Sequence, residues 1–539
     1  MKLKIFFYLL IFILLFTSCA VTMNDSQTIS SAEVDSEFVV SSGSGVESSV
    51  NMPAVISENT SAATLRYPIG DTSQGICYDN QKEVPCESLA ASFDGQDAQY
   101  VGNQASYLDN GDGTVTDLVT RLMWQQDPGE KMTYSEAAAG ADDFSLAGYD
   151  DWRLPTIKEL YSLILFDGED VSICKNVVCD AKPFIDTRYF GFQYGDLDAG
   201  ERAIDSQFAS STLYVSTTMN GSATMFGVNF ADGRIKGYGF DANPNRGQKT
   251  FYVLYVRGGD GYGENDFVDN GNGTITDQAT GLTWMQSDSG KGMDWEDALR
   301  YCETLDFVGS EDWRLPNAKE LQSIVDYSRS PDTTNSPAID PLFATSSIIN
   351  EMGETDYPFY WTSTTHASSN GNGSAAVYVS FGEATGNMNG TWMDVHGAGA
   401  QRSDPKSGDP YQFPDGRGPQ GDAIHIENYV RCVSDGEGTY IEAGVTVDER
   451  PSMDVESNGN EINLPGRVQN QVDITGNAPD HGGIPGGQAG PPEEAISACA
   501  ASTVGESCLF NSPSGEVSGV CQEIQQELAC VPENTRSHR

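Results

Sequence analysis

Two stretches of this chain carry the same alternation of apolar and polar positions. Tyr107–Gln125 reads YLDNGDGTVTDLVTRLMWQ, and Phe267–Met285 reads FVDNGNGTITDQATGLTWM. Asn-Gly and Asp-Gly between apolar and Thr-rich runs predict tight hairpins, because these residues accept the backbone conformations that short turns demand. The period then changes. Thr133-Tyr-Ser-Glu136 is a capping box, and Asp294 is the matching cap, which predicts one helix in each copy. A second helix starts after Pro155, with Thr156 and Glu159 as its box and Asn317 and Glu320 as the twin. Leu160, Leu163 and Ile164 fall on one face of it, as do Leu321, Ile324 and Val325. The remainder reads as strands. Met225–Phe230 and Arg234–Tyr238 flank Ala-Asp-Gly as a hairpin, and Val377–Phe381 begins its counterpart.

The repetition sets the organisation. Asp151–Leu160 (DWRLPTIKEL) recurs as Asp312–Leu321 (DWRLPNAKEL). Tyr214–Thr218 (YVSTT) is matched to Tyr360–Thr365 (YWTSTT), and Phe251–Arg257 to Asn428–Arg431. These define two modules, 97–259 and 264–435. Residues 20–66, rich in Ser, Val, Glu and Thr, read as a flexible tether. Residues 67–96 hold CYDNQKEVPC, a small hairpin closed by Cys77 and Cys86. A Gly/Pro/Asn-rich linker spans 436–495, and 496–532 is a small four-Cys unit.

The start of the chain reads as an export signal. Two lysines precede the apolar run Ile5–Phe16, which is too short to span a bilayer. Cys19 follows small residues in the manner of a lipobox, so 1–19 reads as a lipoprotein signal peptide and Cys19 as the lipid carrier. Cleavage after Ala20 is the rival reading. Ala20 rather than Asp after the Cys resembles outer-membrane lipoproteins. The expected location is therefore the outer membrane or cell surface, with a secreted or periplasmic form as the alternative.

Of 11 Cys, ten remain once Cys19 is set aside, an even number in an exported chain. Cys77/Cys86 and Cys174/Cys179 are local neighbours. Cys302 falls in the first helix of module two and Cys432 in its last strand; module one is read as having Ala141 and Gly258 there, so both cysteines are absent together. Joint absence is what a Cys302–Cys432 bond predicts. The pairing of Cys499, Cys508, Cys521 and Cys530 is open. Without a C-x-x-C or a nearby His, zinc is disfavoured.

Charge narrows the partners. The chain carries 78 Asp and Glu against 30 Lys and Arg, a net −48. That argues against nucleic acid, which needs clustered cations. It also disfavours any polyanion unless a local basic patch or bound calcium intervenes. Asp109, Asp112 and Asp117, with Asp269, Asn272 and Asp277, have a calcium-like composition, but Gly111 and Gly113 break the EF-hand spacing. The favoured reading is turn capping of backbone amides. Trp152, Arg153 and Glu159, with Trp313, Arg314 and Glu320, read as core, ion pair and cap rather than as a binding surface. Module two has a long segment, about 386–424, where module one has a short one. It holds Trp392, Asp394, His396, Arg402, Tyr411 and Arg417, and is the expected ligand-binding loop. No HExxH, GxSxG or P-loop occurs, so no catalytic residue is assigned.

The paired motifs DNGDGTVTD and DWRLPTxxEL resemble the bacterial DUF1566, or Lcl C-terminal domain, family, present here twice. The resemblance implies an α+β fold: two tandem C-type-lectin-like modules of short helices and twisted antiparallel sheets, with a helix-to-last-strand disulfide. It implies an adhesin-like surface protein that binds a glycan or a protein without catalysis. A structural envelope component is the alternative, and so is an enzyme similar to the formylglycine-generating enzymes. One departure stands out: Arg121 occupies the place of Gly281, so that turn is expected to differ in module one.

Overall fold

The computed structural model describes residues 65–174, 179–241, 248–259, 261–435 and 498–499, with strands at 507–512, 515–524 and 527–532. The signal peptide with Cys19, the tether up to residue 64 and the 436–495 linker lie outside the described residues. The chain divides into two compact units between Thr446 and Val447.

Each module opens with three short antiparallel strands built on the turn dipeptides. Tyr107–Asp109, Thr114–Asp117 and Met123–Gln125 pair in sequence, and Val256–Arg257 closes the sheet against the third strand. Phe267–Asp269, Thr274–Asp277 and Thr283–Met285 repeat the register, with Val433–Ser434 closing. Arg121 keeps the turn rather than changing it. Its φ is +64° against +82° for Gly281, and its amide donates to the Asp117 carbonyl at 2.8 Å as Gly281 does to Asp277 at 2.7 Å.

The caps set the helices. Helix α1 (Tyr134–Gly140) starts on the Thr133/Glu136 box and α2 (Ile157–Ser162) on the Thr156/Glu159 box. Helix α3 (Trp295–Glu303) starts on Asp294 and α4 (Ala318–Ser323) on the Asn317/Glu320 box. Each cap side chain takes up an amide that has no partner inside the helix. Leu160, Leu163, Ile164, Leu321, Ile324 and Val325 are all buried in one core shared by the two modules.

The modules are not separate beads. Strands β1 (Gln207–Leu213), β2 (Thr224–Asn229) and β3 (Arg234–Gly239) belong to module one. Strands β4 (Phe359–Thr365) and β5 (Ala375–Ser380), a hairpin of β6 (Thr385–Met388) and β7 (Thr391–Asp394), and β8 (Gln401–Pro405) belong to module two. A single six-stranded sheet runs β4-β5-β8-β3-β2-β1. Its central joint is β8 against β3, where Gln401 faces Ile235. These two residues are counterparts, since Ile235 pairs with Val228 as Gln401 pairs with Val379. The helices obey the same approximate two-fold. Lys158 Nζ donates to the Ser323 carbonyl at 2.7 Å, and Lys319 Nζ to the Ser162 carbonyl at 2.8 Å. Each lysine thus caps the other module's helix.

The geometry corrects two alignments. Ser211 and Ser363 donate equivalently to Pro155 and Pro316, so β1 (QFASSTL), not Tyr214–Thr218, is the counterpart of β4. The counterpart of Cys432 is Tyr255, not Gly258, because Gln125 and Met285 donate to their respective carbonyls. Cys302 is bonded to Cys432, linking α3 to the closing strand. Module one makes the same tie with a phenol: Tyr255 donates to the Ala137 carbonyl of α1 at 2.9 Å. Gly140 leaves room for it, since a Cβ there would lie 2.8 Å from that hydroxyl.

Residues 65–103 form a strap across module two, and the Cys77–Cys86 hairpin is part of it. Thr72 and Thr364 both donate to Asp97, at 2.7 and 2.6 Å. Lys406 lies 3.8 Å over the Trp295 ring and donates to the strap carbonyl of Asp79 at 3.1 Å. Cys174 is bonded to Cys179. In the second unit, Ser507–Ser512, Gly515–Ile524 and Glu527–Pro532 make an antiparallel sheet. There Cys499 is bonded to Cys521, and Cys508 is also in a disulfide.

Candidate functional site

The joined sheet has two unlike faces. Ile235 points into the shared core, while its neighbours Arg234, Lys236 and Tyr238 line a cleft on the other side, which period-two alternation requires. From β8, Arg402 and Asp404 line the same cleft, and Tyr378 of β5 joins them. The cavity measures about 660 Å³ and spans the junction between the modules.

Six cationic side chains line it: Arg202, Arg234, Lys236, Lys249, Arg402 and Arg417. Four carboxylates accompany them: Asp170, Asp232, Asp404 and Asp422. In a chain of net −48, a cationic excess inside one cleft is a local reversal of the field. Arg234 donates to Asp170 at 2.8 Å and to Ser403 of the other module at 3.1 Å. Lys236 pairs with Asp232, and Arg402 with Asp422. Burial would raise Asp170 and Asp422, but Arg234 beside the first and Arg402 beside the second hold both below the usual carboxylate range. Burial moves Lys236 down to about 8 and Asp404 up to about 6. His366 Nε2 donates to the Asp232 carbonyl at 2.9 Å, and His396 lies 3.0 Å from Asp422. Burial, aided by Arg234 and Arg402 respectively, lowers both histidines to about 4, so they are neutral at physiological pH.

The first part of the long segment of module two folds into the β6–β7 hairpin and then β8, and packs on module one, whereas 407–420 run as mostly exposed turns. Asp394 is buried and accepts from the Tyr214 hydroxyl of module one at 2.9 Å. His396 and Arg402 belong to the cleft's buried ion network. Trp392 is half-buried on β7, and Tyr411, 89% exposed, stands apart from them. The structure therefore brings Arg402 and His396 to the cleft, gives Asp394 to the junction and leaves Tyr411 on the surface. Arg234, Lys236, Tyr238 and Lys249 were missed from the sequence. Their signal was there in part, as charged and aromatic residues alternating with Ile235 along a strand.

The calcium-like positions serve turns. Asp109 accepts from the Gly111 amide at 2.8 Å and Asp112 from the Thr114 amide at 3.1 Å; Asp269 and Asn272 do the same for Gly271 and Thr274. Asp117 accepts from the Val119 amide and Asp277 from Asp266, each at 2.8 Å. Among the described residues, no three acids bring their oxygens within 4.8 Å of one another. Trp152 and Trp313 are buried, and Arg153–Glu159 and Arg314–Glu320 are two-pronged ion pairs.

A buried acid group lies under the inserted hairpin. The Glu383 amide donates to Asp356, and the Glu383 carboxyl is pushed up to about 9 by burial and then by Asp394 and Asp332. The fold thus holds a proton that the unfolded chain releases near pH 4.5. That contribution to stability is complete below the unfolded value and is lost as pH rises toward 9. Between pH 6.5 and 8 the buried lysines lowered to about 8 and His425, raised by Glu351, titrate as well, so the Glu383 contribution is read as a difference from the variant that lacks it. Across that window the protein should lose about 2 kcal/mol of stability relative to Glu383→Gln. Thermal melts of Glu383→Gln should show a flatter slope there; an unchanged slope would place the proton elsewhere.

Comparison with known families gives two tandem matches. The Lcl C-terminal domain model covers residues 113–257 and 273–396. The second match ends at His396, beside the inserted hairpin, although β8 and the Cys432 strand complete the module. Searches of curated proteins and of solved structures return no match. The chain therefore carries the Lcl C-terminal domain in two tandem copies.

Proposed function

We propose that this extracellular or surface protein is a non-catalytic, adhesin-like binding protein that holds a glycan or protein ligand between its two domains. The observation that carries the reading is the 660 Å³ cleft, whose six cations reverse the sign of an otherwise acidic chain. Its size lies within the range of about 300–1,000 Å³ usual for ligand sites. The two histidines in and beside it are neutral and engaged with Asp232 and Asp422, so neither is set against a hydroxyl as a base. A lectin-like scaffold suits this role, as does display through lipid on Cys19 at the outer membrane or cell surface.

The test is a glycan array probed with the purified chain. Binding lost in Lys249→Ala/Arg417→Ala and retained in Tyr411→Ala supports the cleft. Loss only in Tyr411→Ala moves the site to the exposed segment. Binding abolished only by chelator returns the Asp109 and Asp269 turns to consideration. No binding under any condition favours a structural envelope role.

A further inference from the structure

We propose that module one carries a second binding site, an open sheet edge that takes an extended peptide of a partner protein presenting a glutamine side chain. The equivalent seat in module two is filled by the chain itself. Strands β1 and β4 are the two edges of the six-stranded sheet. An edge strand offers amides and carbonyls that a further chain can take up. At β4 the strap does so. The Gln74 carboxamide accepts from the Thr365 amide at 2.8 Å, and donates to the Thr365 carbonyl at 2.7 Å and the Phe166 carbonyl at 3.3 Å. The Phe166 amide donates to the Thr72 carbonyl at 2.6 Å. The strap is thus held between β4 and the segment that follows α2.

The two-fold gives each of these groups a counterpart. Thr212 and Thr364 accept equivalently from the Ile157 and Ala318 amides, so Leu213 stands for Thr365. Asp326 donates to Ala338 as Leu165 donates to Phe184, so Tyr327 stands for Phe166. The Tyr214 amide donates to the Thr224 carbonyl of β2, which turns the Leu213 amide and carbonyl away from that strand. Among the described residues these two groups meet no partner, nor do the Tyr327 amide and carbonyl. Thr365, under Gln74, is fully buried, whereas Leu213 is 46% exposed. Ser211, Thr212 and Tyr327 line the adjoining groove, which measures about 810 Å³ and shares no residue with the cleft. The connector between the modules reaches only its near end. There Lys158 Nζ donates to the Gly263 carbonyl at 3.0 Å, as Lys319 Nζ does to the Asp71 carbonyl at 2.9 Å. The connector then enters the strand Phe267–Asp269, while the strap runs on to Gln74.

The filled seat specifies the occupant of the open one. A glutamine carboxamide answers the Leu213 amide and carbonyl together. The residue before it must accept a left-handed backbone, since Ser73 has a φ of +61°. The exposed Leu213 side chain, where module two has Thr365, adds apolar surface for the peptide to cover.

The probe is a fluorescent peptide of the strap's own sequence, Tyr67–Ile76 (YPIGDTSQGI), titrated with the whole chain and read by anisotropy. It should bind one to one. Gln74→Ala in the peptide should weaken binding about tenfold or more, the scale of two lost hydrogen bonds, and Ser73→Gly should tighten it. In the chain, Leu213→Pro removes the outward amide at an edge, where proline is tolerated. Ser211→Trp fills the groove from the surface and serves if Leu213→Pro melts early. Each should abolish binding. Lys249→Ala/Arg417→Ala should leave it unchanged, which separates this site from the cleft. Absence of peptide binding overturns the proposal. Binding indifferent to Leu213→Pro and Ser211→Trp means exchange with the strap on module two, and overturns it as well. Equal affinity of the Gln74→Ala peptide overturns the glutamine assignment. Self-association of the chain alone, removed by Ser211→Trp, would give the groove to a second copy in place of a partner protein.

Discussion

Replacing Gly237 by alanine should prise the two domains apart. A Cβ at this position of β3 would lie 2.3 Å from the His396 carbonyl oxygen and 2.8 Å from Thr224 Cγ2. His396 follows the inserted hairpin of the second domain, so the clash is between two backbones and no side chain can swing away. Overpacking of this kind costs about 1–3 kcal/mol. Here it falls at the seam that also carries Arg402, Asp422 and the Asp394–Tyr214 hydrogen bond. The expected result is a lower melting temperature and loss of cleft-dependent ligand binding together. A variant that melts lower but binds normally would show that the seam tolerates the added methyl without opening the cleft.

The second large effect concerns the two ways of tying the first helix to the closing strand. Cys302 and Cys432 are 130 positions apart, and a bond across so long a loop restricts the unfolded chain strongly. Loop-closure entropy puts its removal in the double serine variant at roughly 4–5 kcal/mol. The phenol tie in the first domain is a hydrogen bond, and Tyr255→Phe should cost about 1 kcal/mol. Denaturant titrations of both variants measure the contrast. If the serine variant loses no more than Tyr255→Phe, the bridge acts as a local fastener and not as a restraint on the unfolded chain.

Features set within a few residues were legible in the sequence. The hairpins at Asn110-Gly111 and Asn270-Gly271, all four helix caps and the buried faces of α2 and α4 follow from local chemistry. The Cys302–Cys432 pairing was legible for a different reason, the joint absence of both cysteines from the other copy. Its counterpart was misread, because Tyr255 fulfils by hydrogen bonding a task that sequence comparison assigns to a cysteine. The Ser/Thr-rich motifs misled in another way: YVSTT resembles YWTSTT in letters, but the Pro155 and Pro316 carbonyls select FASST instead. Least legible was the cleft. Its floor depends on β3 meeting β8, a contact between residues far apart in the chain, and no local pattern announces it. The long segment looked like a free loop for the same reason, since the surface that buries Asp394 belongs to the other domain.

The contact of Ile235 with Gln401 has a historical meaning. When a residue meets its own counterpart across an axis, and Lys158 and Lys319 exchange partners across the same axis, the contact is that of a symmetric dimer. The arrangement is that of two identical one-domain subunits whose genes were duplicated and fused. A pocket on the dyad of such an ancestor must present the same groups twice, so it can fit only a ligand that tolerates two equal halves. Fusion removes that constraint. Tyr238 on one strand and its counterpart Asp404 on the other now differ, and a site that began with two equal halves can tell one end of a molecule from the other.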